Sequence, residues 1–307
     1  MNTPLPLISF VIVSLNGAEA LPLCLGALAR LDWPADRYEV IVVNNGSTDG
    51  TRELLDSWPE CPIQPIHLPR NHGFAGGNNV GIRRAKGDWV VLLNDDAEVS
   101  ADWARTFAQS AAAHPEGGIL GSLLLYPDGT TIQHAGGVVE ANALTKHTGV
   151  GEKDQGQHDS IVPCDYVTGA VFAMRRDVLL AVGLLDEGYW PIYFEEIDYC
   201  WRAWKAGFSV LMTPARAIHH ESRTTVALSE GFLRKYHRNR LRYVVMNFGP
   251  RRFARWARAE YRWLRDNRKY LPWRLMIPMY AKCLLLGLGW LVLRFAGIRR
   301  GGRLPGT

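Results

Sequence analysis

The sequence predicts an α/β protein with a mainly parallel central sheet, and three observations carry that prediction. Short apolar, β-branched runs alternate with helix-length stretches from residue 7 to residue 125. Polar clusters stand where three of those runs stop: Ser14-Leu15-Asn16, Asn44-Asn45-Gly46-Ser47 and Asn94-Asp95-Asp96. The 307 residues are 47% hydrophobic and 21% charged, which suits one large globular domain or two small ones. Ligands of such sheets bind beyond the carboxyl ends of the strands, so the three clusters outline a candidate site.

The expected strands are Leu7–Val13, Tyr38–Val43, Ile63–Leu68, Trp89–Leu93 and Ile119–Leu125, each a short run rich in Val, Ile and Leu. Helices are expected near Ala18–Arg30, Thr51–Trp58, Ala75–Ala85 and Ala101–His114. The N-terminus reads as a buried strand, because Met1 to Pro6 lacks the basic segment of a secretory leader. Tyr126 to Pro163 is rich in Gly, Thr and His, which predicts hairpins and a mobile loop, with Gly149–Ser160 disordered. Order returns over Val167 to Val210, and Glu195 to Ala206 reads as a helix stopped by Gly207.

The C-terminal part has a different character. From Arg234 to Thr307 there are 19 Lys and Arg against Glu260 and Asp266, a balance of +17 that leaves −12 on the preceding body of a chain with net charge +5. Phe253, Trp256, Ala257, Tyr261 and Leu264 form one helical stripe among arginines. Leu275 to Phe295 is apolar but interrupted by Pro278 and Lys282, and its longest unbroken run, Cys283 to Leu293, is short for a spanning helix of about 20 residues. A basic amphipathic helix followed by a short apolar one predicts an anchor on an anionic membrane surface, with a packed helical pair or a homodimer interface as the alternative. Five cysteines, odd in number and without a CxxC pair, argue against a disulfide framework or a cysteine zinc site and suit a reducing compartment.

Four constellations carry candidate chemistry. Asn94-Asp95-Asp96 places two like charges at a strand end, where a divalent cation carrying a diphosphate supplies the counter-charge. Asn71-His72-Gly73, continuing through Asn79, puts glycines before a helix, where backbone N–H groups can meet an anion. Glu195, Glu196 and Asp198 crowd carboxylates among Trp190, Tyr193, Phe194 and Trp201, and desolvation there raises a carboxyl toward the range of a useful base. His219-His220 follows a strand and can complete a cation site begun by Asp96, while Arg238 and Arg240 begin a basic helix suited to phosphate oxygens.

In order and spacing these motifs resemble glycosyltransferase family 2, with its GT-A fold, over roughly Ile8 to Phe248. Within the family they look most like the rhamnosyltransferase branch, whose relatives transfer galactofuranose. The resemblance implies a GT-A domain over 1–229, with a nucleotide half (1–125) and an acceptor half (126–229), and a basic helical extension over 230–307. It implies nucleotide-sugar contacts at Ser14, Asn16, Asn44, Asn71, Gly73, Asn79, Asn94 and Asp95. The position of Asn44 is usually Asp in the family and contacts the base; Asn remains a good partner for an imide edge. Asp96 and His220 are implied as ligands of Mg2+ or Mn2+, with His219 as the fallback. Of the Glu195-Glu196 pair, Glu196 is implied as the catalytic base. Arg238, Arg240 and His219 are weaker candidates for the diphosphate or the acceptor.

The activity implied is inverting transfer of a sugar, dTDP-L-rhamnose being the first choice of donor, to a glycan or a polyprenyl-diphosphate-linked glycan in cell-surface polysaccharide synthesis. The place implied is the cytoplasm, peripheral on the inner face of the membrane. UDP-galactofuranose or a UDP-hexose is the alternative donor. Two other classes are weighed. A degenerate membrane-associated binding protein draws support from Asn44, Asn94 and Glu196. A nucleic-acid-binding protein is disfavoured by the acidic body and the lack of a recognised motif.

Overall fold

The computed structural model describes residues 5–220, 229–269, 271–299 and 302. Along the chain come β1 (Ile8–Ser14), α1 (Leu21–Ala29), β2 (Tyr38–Asn44), α2 (Thr51–Asp56), β3 (Gln64–His67), α3 (Gly73–Arg84), β4 (Trp89–Asn94), β5 (Ala97–Val99), α4 (Trp103–Ala113) and β6 (Gly117–Leu125). The remainder supplies β7 (Ile132–His134), β8 (Gly137–Val139), β9 (Thr145–His147), β10 (Val162–Pro163), β11 (Val171–Arg175), α5 (Arg176–Val182), α6 (Glu195–Lys205), β12 (Ser209–His219), α7 (Glu230–Asn247), α8 (Pro250–Asp266) and α9 (Trp273–Phe295).

Among the described residues, ten strands form one mixed sheet with the order β10-β12-β6-β11-β4-β1-β2-β3, with β5 on β12 and β7 on β6. β1 is central and parallel to both β2 and β4, and its apolar side chains are buried on both faces. The expected α/β class is therefore observed. Antiparallel β11 lies between β4 and β6, so residues from 1–125 and 126–229 share a single sheet.

The glycines of α3 have a packing role rather than the ligand-approach role expected of them. A Cβ on Gly77 would lie 2.6 Å from Val13 Cγ1, and one on Gly81 would lie 2.3 Å from Val11 Cγ1. The helix rests on β1 at a separation that only glycine permits. Pro214 sits where β12 shifts register against β6, between Thr213 and Arg216; a bulge tolerates a residue without an N–H.

Two expectations need correction. Gly149–Ser160 is ordered, not disordered. The Arg216 guanidinium bonds Asp154 (2.8 Å) and Asp159 (2.5 Å), and Lys153 Nζ reaches Asp128, Thr130 and Thr131. Its polar composition reflects this cross-linking rather than solvation. The apolar C-terminal stretch is also not short: α9 is continuous through Pro278 and Lys282, and Met276–Phe295 is long and apolar enough, by length and composition, to cross a membrane.

The basic extension packs against the body. Tyr243, Val244 and Phe248 enter the main core, while Leu241 and Met246 form a second cluster with Met276, Met279, Cys283 and Trp290 of α9. Arg240, expected to meet a phosphate, is instead fully buried. Its Nη1 lies 2.8 Å from Glu260 Oε2, and its Nη2 lies 2.9 Å from the Tyr280 hydroxyl, so one guanidinium joins α7, α8 and α9. Removing one member of a buried pair leaves the other charged and unsolvated. Arg240→Ala is therefore expected to lower stability by about 3–5 kcal/mol in denaturant unfolding, and Arg240→Met with Glu260→Leu to cost far less.

Candidate active site

The carboxyl edge of the sheet is set by β1, β2 and β4, and the loops leaving it are stitched together. The Ser14 hydroxyl donates to Asp95 Oδ2 at 2.6 Å, tying the end of β1 to the end of β4. Asn16, at φ +57°, accepts the Thr48 N–H through Oδ1 and donates its own N–H to the Ser47 hydroxyl. Ser14, Asn16, Asn94 and Asp95 thus share one rim.

Asp96 lies one residue beyond Asp95 and is buried. β5 pairs antiparallel with the end of β12, setting His219 opposite Ala97, and His220 N–H donates to the Asp96 carbonyl. This register aims His219 at the site: its Nε2 lies 3.3 Å from Asp96 Oδ1 and 3.2 Å from Asn94 Nδ2. The neighbour points the other way, with His220 Nε2 at 2.6 Å from Glu98 Oε1. Of the two, it is His219, the fallback, that faces Asp96, because successive strand residues face opposite sides.

The donor set fits a hard divalent cation brought in by its substrate. Asp96 offers carboxylate oxygen and His219 a ring nitrogen. Among the described residues no group of three His, Cys, Asp or Glu is placed to hold a metal alone. Mg2+ or Mn2+ bound through one carboxylate and one imidazole would draw its other ligands from diphosphate and water.

Several residues expected at the nucleotide are engaged elsewhere. Asn44 accepts the Ser47 N–H at 3.0 Å, and its amide nitrogen lies 3.2 Å from His67 Nδ1, contacts that hold the turn after β2. Asn71 Oδ1 accepts the Gly73 N–H at 2.7 Å and so shapes the turn rather than meeting an anion. At Gly73, with φ +74°, a Cβ would lie 2.8 Å from the Pro191 carbonyl oxygen. Asn79, fully buried, bonds both the N–H and the carbonyl of Leu185 and the Glu187 carboxylate, strapping the segment that precedes α6. Sequence position alone does not separate such clamps from ligand contacts, since both need Asn and Gly at turns.

The same clamps place the third carboxylate cluster. Phe74 N–H donates to the Pro191 carbonyl at 2.8 Å, holding the 190–194 loop over the start of α3 at the carboxyl edge. Arg238 adds a bond from α7 to the Trp190 carbonyl at 2.7 Å. Tyr193 and Phe194 then adopt left-handed backbone, at φ +85° and +77°, immediately before α6. Non-glycine residues there cost on the order of 1–3 kcal/mol each, a strain typical of functional sites.

That turn sets Glu195 and Glu196 in the first turn of α6. Glu195 is buried, its Oε2 has no hydrogen-bond partner, and burial with Glu196 alongside holds its carboxyl well above the usual range. Glu196 is half-buried, and desolvation pushes its carboxyl up to about 7. Asp198, one turn on, behaves oppositely. Burial raises it, but the Arg202 and Arg299 guanidinium groups outweigh burial and keep it ionised. One helix therefore carries an ion-paired carboxylate held low and a pair raised by burial.

Sequence reasoning missed Gln133, whose Oε1 lies 2.7 Å from His219 Nδ1, and Arg299, which reaches Asp198 from beyond α9. No local motif marks either; both contacts come from tertiary placement.

Comparison with known proteins follows this geometry. A family model described as Glycosyl transferase family 2 matches residues 9–182. The chain is 26% identical over 259 residues to the N-acetylglucosaminyl-diphospho-decaprenol L-rhamnosyltransferase of Mycobacterium tuberculosis, covering 77% of this chain and 82% of that protein. It is 30% identical over 204 residues to the O-antigen biosynthesis protein RfbC of Myxococcus xanthus and 32% identical over 199 residues to the uncharacterized protein y4gI of Sinorhizobium fredii. These two matches cover 64% and 60% of this chain but span only 16% and 21% of those longer proteins.

Among solved structures, S. aureus TarS in complex with UDP-GlcNAc aligns with a TM-score of 0.63 at 13% identity, over 95% of this chain and 84% of that one. The Pyrobaculum calidifontis mannosyltransferase in complex with GDP-Man and Mn2+ aligns at 0.56 and 16% identity, over 95% and 85%. These likenesses bear on the fold, which is GT-A.

Replacing the two histidines separately tests the placement. His219→Ala is expected to abolish the site's Mn2+ binding, read by electron paramagnetic resonance titration, and His220→Ala to leave it within about threefold, since only His219 faces Asp96.

Proposed function

The chain belongs to glycosyl transferase family 2, and on that premise we propose that it moves a sugar from a nucleoside-diphosphate donor to a hydroxyl of a glycan acceptor, with inversion at the anomeric carbon. The observations that support the reading are Glu196, a carboxyl raised by burial to about 7 at the start of α6, and the Asp96–His219 pair beyond the end of β4. Glu196 takes the proton from the acceptor hydroxyl as that oxygen attacks the anomeric carbon. Glu195, held protonated by burial beside it, keeps a second negative charge out of the site. Mg2+ or Mn2+, when bound at Asp96 and His219, would neutralise charge on the departing diphosphate. Ser14 and Asp95 brace the nucleotide end of the pocket, and Arg238 stands at the acceptor end beside Trp190.

The donor we favour is dTDP-L-rhamnose, in keeping with the mycobacterial relative's name and its coverage of most of both chains. A lipid-linked acceptor is favoured by that name and by α9. The side of α9 turned away from α7 exposes Leu284 (78%), Leu285 (79%), Leu288 (72%) and Phe295 (84%). Exposed Arg251, Arg255, Arg258 and Arg262 on α8 supply charge for an anionic surface, each cation contributing about 1 kcal/mol near such a membrane. Trimming the chain at residue 251 would also remove Glu260 and Tyr280 from buried Arg240, so polar substitutions on α9 are the cleaner test.

Glu196→Gln is expected to retain donor binding, read as thermal stabilisation by nucleotide sugar, while transfer falls by about 10²–10⁴-fold. In the unmodified enzyme a base must be ionised to work. The transfer rate is therefore expected to rise with pH through about 7 and level off above it, as burial of Glu196 dictates. Combining Leu284→Gln, Leu285→Gln and Leu288→Gln is expected to preserve circular dichroism and abolish co-sedimentation with phosphatidylglycerol vesicles. Undiminished sedimentation would remove the membrane from the proposal, and loss of a dimer in gel filtration would assign that face to a second copy.

A further inference from the structure

His219 is held at both ring nitrogens, and the contact at Nδ1 places one proton. Nδ1 is 2.7 Å from Gln133 Oε1, a carbonyl oxygen that can only accept, so Nδ1 carries the hydrogen. In the neutral ring Nε2 then carries the lone pair; it lies 3.2 Å from Asn94 Nδ2, which donates, and 3.3 Å from Asp96 Oδ1. The Gln133 amide is itself fixed in orientation. Its Nε2 donates to the His219 carbonyl oxygen at 3.4 Å, and a flipped amide would set oxygen against oxygen there. Gln133 is buried on β7, three residues from the Tyr126–Gly129 turn by way of Thr130, and nothing in the sequence marks it as part of the site.

We infer that Gln133 is the positioning residue that locks His219 in the Nδ1–H tautomer and turns its Nε2 lone pair toward the space beside Asp96. The inference rests on the reading of Asp96 and His219 as a cation site, and adds to it the group that makes the imidazole competent. Free histidine populates both neutral tautomers, and only the one with bare Nε2 can ligate from this geometry. Asn94 occupies that lone pair here with a neutral donor, which a cation displaces without leaving a charge behind. The length of Gln is part of the device. Its side chain spans from β7 to His219 at the end of β12, whose last residues pair with β5.

The tautomer is read by ¹⁵N–¹H correlation spectra of the full-length protein with ¹⁵N-labelled histidine, without metal, and the affinity by electron paramagnetic resonance titration with Mn2+ alone. The expected result is a single Nδ1–H tautomer for His219 in the native protein and a mixture in Gln133→Leu, with Mn2+ affinity about 10–100-fold weaker in that variant. Gln133→Glu, whose carboxylate also only accepts from Nδ1–H but gives up the donation to the His219 carbonyl, is expected to restore the Nδ1–H tautomer, which a merely space-filling role would not do. A native His219 protonated at Nε2, or a Gln133→Leu variant that binds Mn2+ as the native protein does while His219→Ala does not, overturns the inference. Native-like Mn2+ binding by His219→Ala instead overturns the cation-site reading beneath it.

Discussion

The site depends on one short antiparallel pairing, three residues of β5 against the last residues of β12. It brings together a carboxylate beyond the end of β4 and an imidazole from β12, three places away across the sheet. A slip of one residue would put His220 beside Asp96 and send His219 toward Glu98. The register shift at Pro214, with Arg216 pinned by Asp154 and Asp159, holds β12 in the phase that prevents this. The 149–160 segment is thus a brace for the strand that carries the histidine.

Charge is arranged around α6 with the same economy. Asp198 and Asp186 are buried but paired with Arg202, Arg242 and Arg299, and the guanidinium groups keep Asp198 ionised. Among the described residues Glu195 and Glu196, one turn earlier, have no such ion pair, and burial raises both. The difference between a fixed charge and a proton acceptor is a matter of which carboxylates the arginines of α6, α7 and the C-terminal segment can reach. Left-handed backbone at Tyr193 and Phe194 stores the strain of pointing two glutamates into a half-buried rim. The clamp at Asn79 and the Phe74–Pro191 bond resist its release.

Much of the fold was readable from residues alone, because β1, β2, β4 and β6 are continuous apolar runs and α6 ends at Gly207, whose φ is +95°. The polar strand ends were readable for the same reason: an apolar run that stops at Asp95-Asp96 marks an edge. The remainder depended on partners distant in the chain. His219 and His220 differ only by the phase of a strand, which Pro214 and the following shift in register decide. Gly77 and Gly81 carry the composition of an anion loop but serve helix-on-strand packing. Arg240 has the sequence context of a phosphate contact, and its true partner, Glu260, lies on the next helix. The apolar segment after residue 275 was judged by its unbroken runs, whereas the helix continues through Lys282, which is exposed at its surface.

The most direct test of the central claim is the position of a bound cation relative to Glu196. Crystals grown with Mn2+ and a nucleoside diphosphate would locate the metal by its anomalous scattering. The structure described here predicts one peak between the Asp96 carboxylate and His219 Nε2, with the diphosphate running toward the Glu196 side of the rim. A peak at Glu98 and His220, or a diphosphate leading away from α6, would contradict it.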